Sequence, residues 1–424
     1  MIPTDVLSLI IFVLCIALFV WDKFPMATTA VLGCTVMVIA GVCDFKTAFG
    51  QFASSTVILT IGVMVIGAAI AETGLANTIG ATIVKAAKNS EKKLIIGTYL
   101  VSSIMSAFLT NSAVLAIFIP IIMGLSKASD SKIEGKNLIM PIAYGCVIGG
   151  ASTLVGSTQQ MTAQGLLEGV GAKTFKTFDF TLVGGILIIL GLIYCLTYGY
   201  NRGKKIWQGR IDEVEYIADG EVKTYSKTKM IIVSCVFVIT VLLYITEWIP
   251  LPITSSVAAV LCIMTGCISQ KKAITAVNWN IVGRLAGCLG LAKALEAAGG
   301  TQLISDGFKY LVGDSLTPFM FFCIIVLLTQ LTSELISNST ALLIVLPIVI
   351  SIAPDMGLNM YTYALGATIA SGVALSCPLA SSTLGMSMCV GYRFGDYFKY
   401  SFIFDVITYI TIITLVPLIY GLTI

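Results

Sequence analysis

The chain has 424 residues, of which 57% are hydrophobic and 11% charged, with a formal net charge of +3 and a mean hydropathy of +0.97. A soluble domain carries roughly twice that charge, so a water-soluble globule is excluded. Apolar runs near the length of a bilayer core recur from end to end without the period-2 alternation of an outer-membrane barrel, which leaves an all-α polytopic membrane protein.

The first run, Val6–Val20, follows "MIPTDV" with no basic residue and precedes "WDKFP" with no small-residue cleavage site. It reads as a retained span rather than a signal peptide. Further spans are expected at 26–43 and 55–71, and an amphipathic stretch at 75–88 reads as lying at the interface. A long apolar region follows at 95–125 with polar residues at its centre, then a span with a Gly/Ser-rich break at 138–168 and a closing span at 180–199. After a charged linker, 200–229, the series repeats: spans at 230–246, 253–269 and 280–297, an amphipathic stretch at 301–312, a polar-centred region at 317–350, a broken span at 360–390 and a last span at 400–422.

Three motif pairs fix the repeat. "WDKFP" (21–25) matches "TEWIP" (246–250), "IAETG" (70–74) matches "LEAAG" (295–299), and "TNSAVLAIFIP" (110–120) matches "SNSTALLIVLP" (337–347), at offsets of 225, 225 and 227. A straight helix over 317–350 is too long for an ordinary span. Broken backbone survives in lipid only against protein or a water-filled cavity. Each polar-centred region is therefore expected to be a hairpin dipping into the membrane, with tips at Thr110–Ala113 and Ser337–Thr340.

The charges set the orientation. Lys88, Lys92, Lys93, Lys127, Lys132 and Lys136 flank the first hairpin, whereas "VGDSLTP" and "IAPDMGLN" around the second carry no Lys or Arg. By the positive-inside bias the first opens to the cytoplasm and the second to the outside. Both termini then fall outside and the linker inside, with 19 of 25 Lys and Arg on the cytoplasmic side. Five full spans per copy make the second copy inverted, the build of secondary transporters with interrupted helices at mid-membrane. The division expected is a scaffold at 1–90 and 230–312 and a transport part at 91–199 and 313–424.

Four interruptions converge: "SAFLTNSA" (106–113), "GGASTLVGST" (149–158), "SELISNST" (333–340) and "SCPLASST" (376–383). Each offers hydroxyl or amide oxygens and freed backbone, hard neutral ligands for an alkali cation. Helix N-termini after each tip suit an anion. Asn111 and Asn338, costly at mid-membrane and placed in one repeat register, read as functional. Ser102, Ser103, Thr254, Ser255 and Ser256 read as bonding back to their own helices or easing helix packing. Glu334, one turn before the second tip, either braces the hairpin or touches the cation. Arg284 reads as an interfacial anchor near the cytoplasmic end of its span.

At these residues the chain resembles the divalent anion:sodium symporter family of the ion transporter superfamily. That family carries a Ser-Asn-Thr triplet at each of two opposed hairpin tips, with Pro eight residues beyond. Here the triplets are Thr110-Asn111-Ser112 with Pro120 and Ser337-Asn338-Ser339 with Pro347, and "GYRFGDYFKYS" (391–401) looks like the family's closing segment. The resemblance implies two sodium sites, one at Ser106, Thr110, Asn111 and Gly156, the other at Ser333, Ile336, Asn338 and Ala380. It implies an anion site at Asn111, Ser112, Ser157, Thr158, Asn338, Ser339, Ser381 and Ser382. It also implies a homodimer working by an elevator motion.

The expected protein is a sodium-coupled symporter of a small divalent anion, a dicarboxylate or sulfate, in a bacterial inner membrane. Its expected partners are the anion, membrane lipid and a second copy, with no nucleic acid. A proton-coupled carrier or exchanger is the alternative, and needs a titratable group near the tips. A channel conflicts with two sealed hairpins, and no nucleophile–base set supports an enzyme.

Overall fold

The structure, a computed structural model, describes residues 3–21, 23–75, 78–80, 82, 90–128, 133–207, 225–312 and 317–423. The amphipathic stretch expected at 75–88 and the core of the 200–229 linker fall largely outside the described residues. Among the described residues the chain is helical apart from turns and one isolated bridge, Leu358 to Thr423. This is the all-α polytopic membrane protein expected.

Five described helices are long and apolar enough to cross a membrane on length and composition alone: Phe45–Glu72, Lys227–Thr246, Pro318–Leu335, Asn338–Asp355 and Phe394–Tyr420. Other expected spans appear as shorter apolar helices, such as Met26–Ile39 and Leu251–Met264, or as broken pairs. On Lys227–Thr246 only Val233, Thr240 and Tyr244 are buried, while Ile231, Val238, Ile239, Leu242 and Ile245 stand more than half exposed. In water such a stripe would be a large apolar patch; against lipid tails it is an ordinary surface.

The repeat is visible in the elements. Short helices Phe45–Phe49 and Gln270–Ala276, neither expected from sequence, occupy the same repeat position. Each is N-capped: Asp44 accepts from the Thr47 N–H at 2.9 Å and Ser269 from the Lys272 N–H at 3.3 Å. Met26–Ile39 packs on Trp279–Ala297 of the other copy, and Leu251–Met264 packs on Ser55–Glu72. Small residues permit the approach. A Cβ on Gly287 would stand 2.8 Å from Ala30 Cβ, and one on Gly62 would stand 2.6 Å from Ser255 Oγ.

The hairpins are helix–break–helix units. Glu91–Ser106 returns as Asn111–Ala128, and Pro318–Leu335 returns as Asn338–Asp355. Both breaks lie slightly earlier than expected, so Asn111 and Asn338 begin the returning arms instead of sitting within loops. The broken spans are Gly135–Gly150 with Thr158–Gly169, and Met360–Gly372 with Ser382–Ser387. Each hairpin's first arm packs on the broken span of its own copy. Each returning arm packs on the far half of the other copy's broken span, Asn338–Asp355 on Thr158–Gly169 and Asn111–Ala128 on Ser382–Ser387. That exchange draws all four interruptions to one place.

The hydroxyls assigned to packing behave so. Ser103 Oγ donates to Tyr99 O at 2.8 Å, and Ser102 Oγ to the same carbonyl at 3.0 Å. Thr254, Ser255 and Ser256 donate to backbone carbonyls of Pro250 or Pro252 at 3.3, 2.9 and 2.7 Å.

Candidate substrate and cation site

Both hairpins place a Ser at the end of the first arm and an Asn five residues on, at the start of the second. Ser106 Oγ meets Asn111 Oδ1 at 2.6 Å; Ser333 Oγ meets Asn338 Oδ1 at 2.9 Å. The same Ser–Asn contact recurs in both copies because the same five-residue spacing crosses a break in each. It seals each tip at mid-membrane, where an unpaired amide costs about 1–3 kcal/mol.

Around Asn111 the oxygens outnumber the protons. The amide position that faces Ser106 Oγ also lies 3.2 Å from Gly156 O and 3.3 Å from Cys146 O. Turned over, the amide gives its NH2 to those oxygens and takes a bond from Ser157 Oγ at 3.1 Å. A Cβ on Gly150 would overlap Asn111 Oδ1 and stand 2.5 Å from Ser157 Oγ, so that wall requires glycine. In the second copy one hydroxyl proton, on Ser333, faces two acceptors, Asn338 Oδ1 and Ser371 O, each at 2.9 Å. The Asn338 N–H donates to Ala380 O at 3.2 Å.

A cavity of about 330 Å³ lies between the tips. Thr110, Asn111, Ser112, Gly156, Ser157, Thr158, Asn338, Ser339, Ala380, Ser381 and Ser382 line it. Ser106 and Ser333 sit behind it, fully buried, each holding its Asn. Ile336 does not line it; it is the extended break residue (φ −131°, ψ 179°), with its N–H on Thr332 O. Across the repeats Thr158 Oγ1 and Ser339 Oγ are 3.1 Å apart. Ser381 caps the short helix after it by accepting from the Thr383 N–H at 3.3 Å. Thr60, Val63 and Met64 of Ser55–Glu72 and Ile281 and Arg284 of Trp279–Ala297 also line the cavity.

Arg284 corrects the sequence reading. It is half-buried and lines the cavity, which the reading as an interfacial anchor did not foresee. Sequence gave its depth, one to two turns into the span, but not the face it presents. Glu334 is settled in part: its Oε1 accepts the Ser376 N–H at 3.1 Å, so it braces the broken span rather than its own hairpin. Sequence reasoning missed Asp405, which accepts from Ser376 Oγ and from the Leu375 N–H at 3.3 Å. Its sole signal was an acid within the long apolar Phe394–Tyr420 helix.

The site is a cavity lined by amides and hydroxyls between interrupted helices of an all-α polytopic membrane protein. The citrate transporter family model matches residues 16–321 and 241–424, and the chain belongs to that family. The sodium-dependent dicarboxylate transporter SdcS of Staphylococcus aureus is 22% identical over 417 residues, covering 88% of this chain and 78% of SdcS. An uncharacterized transporter of Synechocystis, sll0640, is 29% identical over 188 residues, covering 44% of this chain. YfbS of Escherichia coli, also an uncharacterized transporter, is 29% identical over 181 residues. The matched region spans only 30% and 29% of those two proteins' lengths. Among solved structures, MtrF of Neisseria gonorrhoeae superimposes with a TM-score of 0.64 at 11% identity, over 98% of this chain and 94% of MtrF. The YdaH transporter of Alcanivorax borkumensis gives 0.59 at 13% identity, over 89% and 88%. At those identities they share the fold alone.

Proposed function

We infer that this chain is a sodium-coupled symporter of a small multiply charged anion, a dicarboxylate or sulfate, with citrate added by the family it belongs to. The observation that carries this reading is the repeated Ser–Asn bond at both tips beside one cavity. It offers two oxygen clusters for cations and helix N-termini for an anion between them. Bound side by side, cation and anion offset each other's desolvation, which couples their movement. The first sodium site comprises Ser106, Thr110, Asn111 and Gly156, and the second Ser333, Ile336, Asn338 and Ala380. Similarity to a transporter named as sodium-dependent supports sodium as the cation.

The repeats are inverted, both termini lie outside, and the membrane is a bacterial inner membrane. The hairpin-bearing part, 91–199 with 313–424, moves as an elevator against the scaffold, 1–90 with 230–312, in a homodimer. The exchanged packing between copies supports an inverted pair.

Proteoliposomes holding the purified chain test the coupling. Inward sodium gradients should drive uptake of labelled succinate or citrate, and proton gradients without sodium should not. Equal uptake under a proton gradient in sodium-free buffer would favour the second reading, a proton-coupled carrier. One observation supports that reading: Glu334 and Asp405 meet on Ser376 directly behind the second tip.

A further inference from the structure

Trp279–Ala297 is the third span of the second copy. Asn278 caps it, accepting from the Asn280 and Ile281 N–H groups at 3.1 and 3.3 Å. Ile281 and Arg284, three residues apart, share one face of that helix, and both line the cavity. Leu285, Ala286, Gly287 and Cys288, just beyond, are buried in protein. Arg284 thus sits where this helix borders both the cavity and the protein interior.

A guanidinium brings five donors and a fixed charge. Among the described residues no carboxylate pairs with Arg284. Among the described residues its one polar contact is Met26 Sδ, a weak acceptor, at 4.0 Å. Lys293, farther along the same helix, is the contrast. It donates to Gly169 O at a helix end and pairs with Glu296 at 3.0 Å, so its charge is already answered. An ionic group in a membrane protein without a partner is costly and marks a ligand pathway. The same cavity is lined by neutral amides and hydroxyls, among them Asn111, Ser112, Asn338 and Ser339. None of them satisfies the guanidinium, and together they supply no full positive charge to a multiply charged anion.

We propose that Arg284 is the scaffold's own ligand for the substrate, gripping a negatively charged oxygen pair that the two Asn-Ser tips leave free and thereby selecting multiply charged over singly charged anions. This rests on the anion-transport reading. The planar fork fits a carboxylate or sulfate through two parallel bonds. Because Arg284 lies on the third span and the triplets on the hairpins, the bound anion bridges the two parts of the molecule.

The test uses the full chain in detergent with saturating sodium, titrated with succinate, citrate and propionate and followed by calorimetry. Arg284→Gln should weaken succinate and citrate by about tenfold or more while shifting propionate less than about threefold. Arg284→Lys, which keeps the charge but loses the fork, should fall between. Unchanged succinate and citrate affinity in either variant overturns the proposal, as does an equal loss for all three anions. Elution as a single species and an unaltered ligand-free melting temperature establish folding. If Arg284→Gln fails that check, Arg284→Lys decides alone. Wild-type protein that binds none of these anions would instead bring down the transport reading beneath it.

Discussion

The two tips are built from one pattern and braced in two ways. At the first, glycine does the work: Gly150 and Gly156 let backbone oxygens close around Asn111, with Ser157 beside it. At the second, carboxylates do it. Glu334 and Asp405 take the N–H groups of Ser376 and Leu375, which the broken span cannot satisfy within a helix. The second tip also rests on the Met26–Ile39 helix, where Thr340 Oγ1 donates to Met26 Sδ at 3.0 Å and Ser337 Oγ approaches it at 3.9 Å. The lesson is that the repeat keeps one contact, one Ser holding one Asn across a break, while the groups that brace it differ.

The largest effect should come from removing that shared element. Asn338→Ala and Asn111→Ala should each reduce sodium-driven uptake to background in proteoliposomes while the protein still elutes as a folded species. Full uptake by either variant would remove its tip from the site. Next is the difference itself. Gly150→Ala pushes a methyl into Asn111, so sodium half-saturation should rise by about tenfold or more, and overpacking should cost about 1–3 kcal/mol. Gly372 faces Gln159 and Ala151 rather than Asn338. Gly372→Ala should therefore change sodium dependence less than Gly150→Ala. Equal shifts in the two variants would mean that the braces are not distinct.

A smaller effect is expected at the acidic brace. Glu334→Gln keeps a carbonyl oxygen for the Ser376 N–H, so stability should change by no more than about 1 kcal/mol in thermal unfolding. Sodium-driven uptake should persist if the carboxylates only brace. Loss of uptake with folding intact would make the pair part of the coupling machinery and strengthen the proton-coupled reading.

What was legible in the sequence follows from this division. Asn111 and Asn338 were readable from the chain as amides in one repeat register, whereas Ser106 and Ser333 entered only through the family resemblance. The breaks at 151–157 and 373–381 were readable from glycine, proline and hydroxyl clusters. The braces are long-range. Asp405 lies 71 positions after Glu334 in sequence, and only helix packing brings both to Ser376. Arg284 was visible as a charge in an apolar run, but its role depends on which way the Trp279–Ala297 helix is turned. Helix rotation is set by partners such as Ala30 and Ala48 against Gly287 and Gly290, which single-sequence periodicity does not identify in helices that are apolar all round. The short Phe45–Phe49 and Gln270–Ala276 helices were missed because they lie in the Lys-bearing connections between expected spans, too short for a periodicity and marked only by Asp44 and Ser269 as caps.

The smallest effect should be at Ser256. Its hydroxyl donates to Pro252 O at 2.7 Å, within its own helix, and lies outside the cavity between the tips. A carbonyl one turn back already has a helical donor, so the hydroxyl bond is a second, local one that leaves no buried group unpaired when removed. Ser256→Ala should therefore alter thermal stability by less than about 0.5 kcal/mol and leave sodium-driven uptake at the wild-type rate. The residue type is the same as at Ser106 and Ser333; only the partner differs. A marked uptake defect in Ser256→Ala would show that hydroxyl function here is not decided by whether the bond crosses a break, and the contrast between tip serines and helix serines would fail with it.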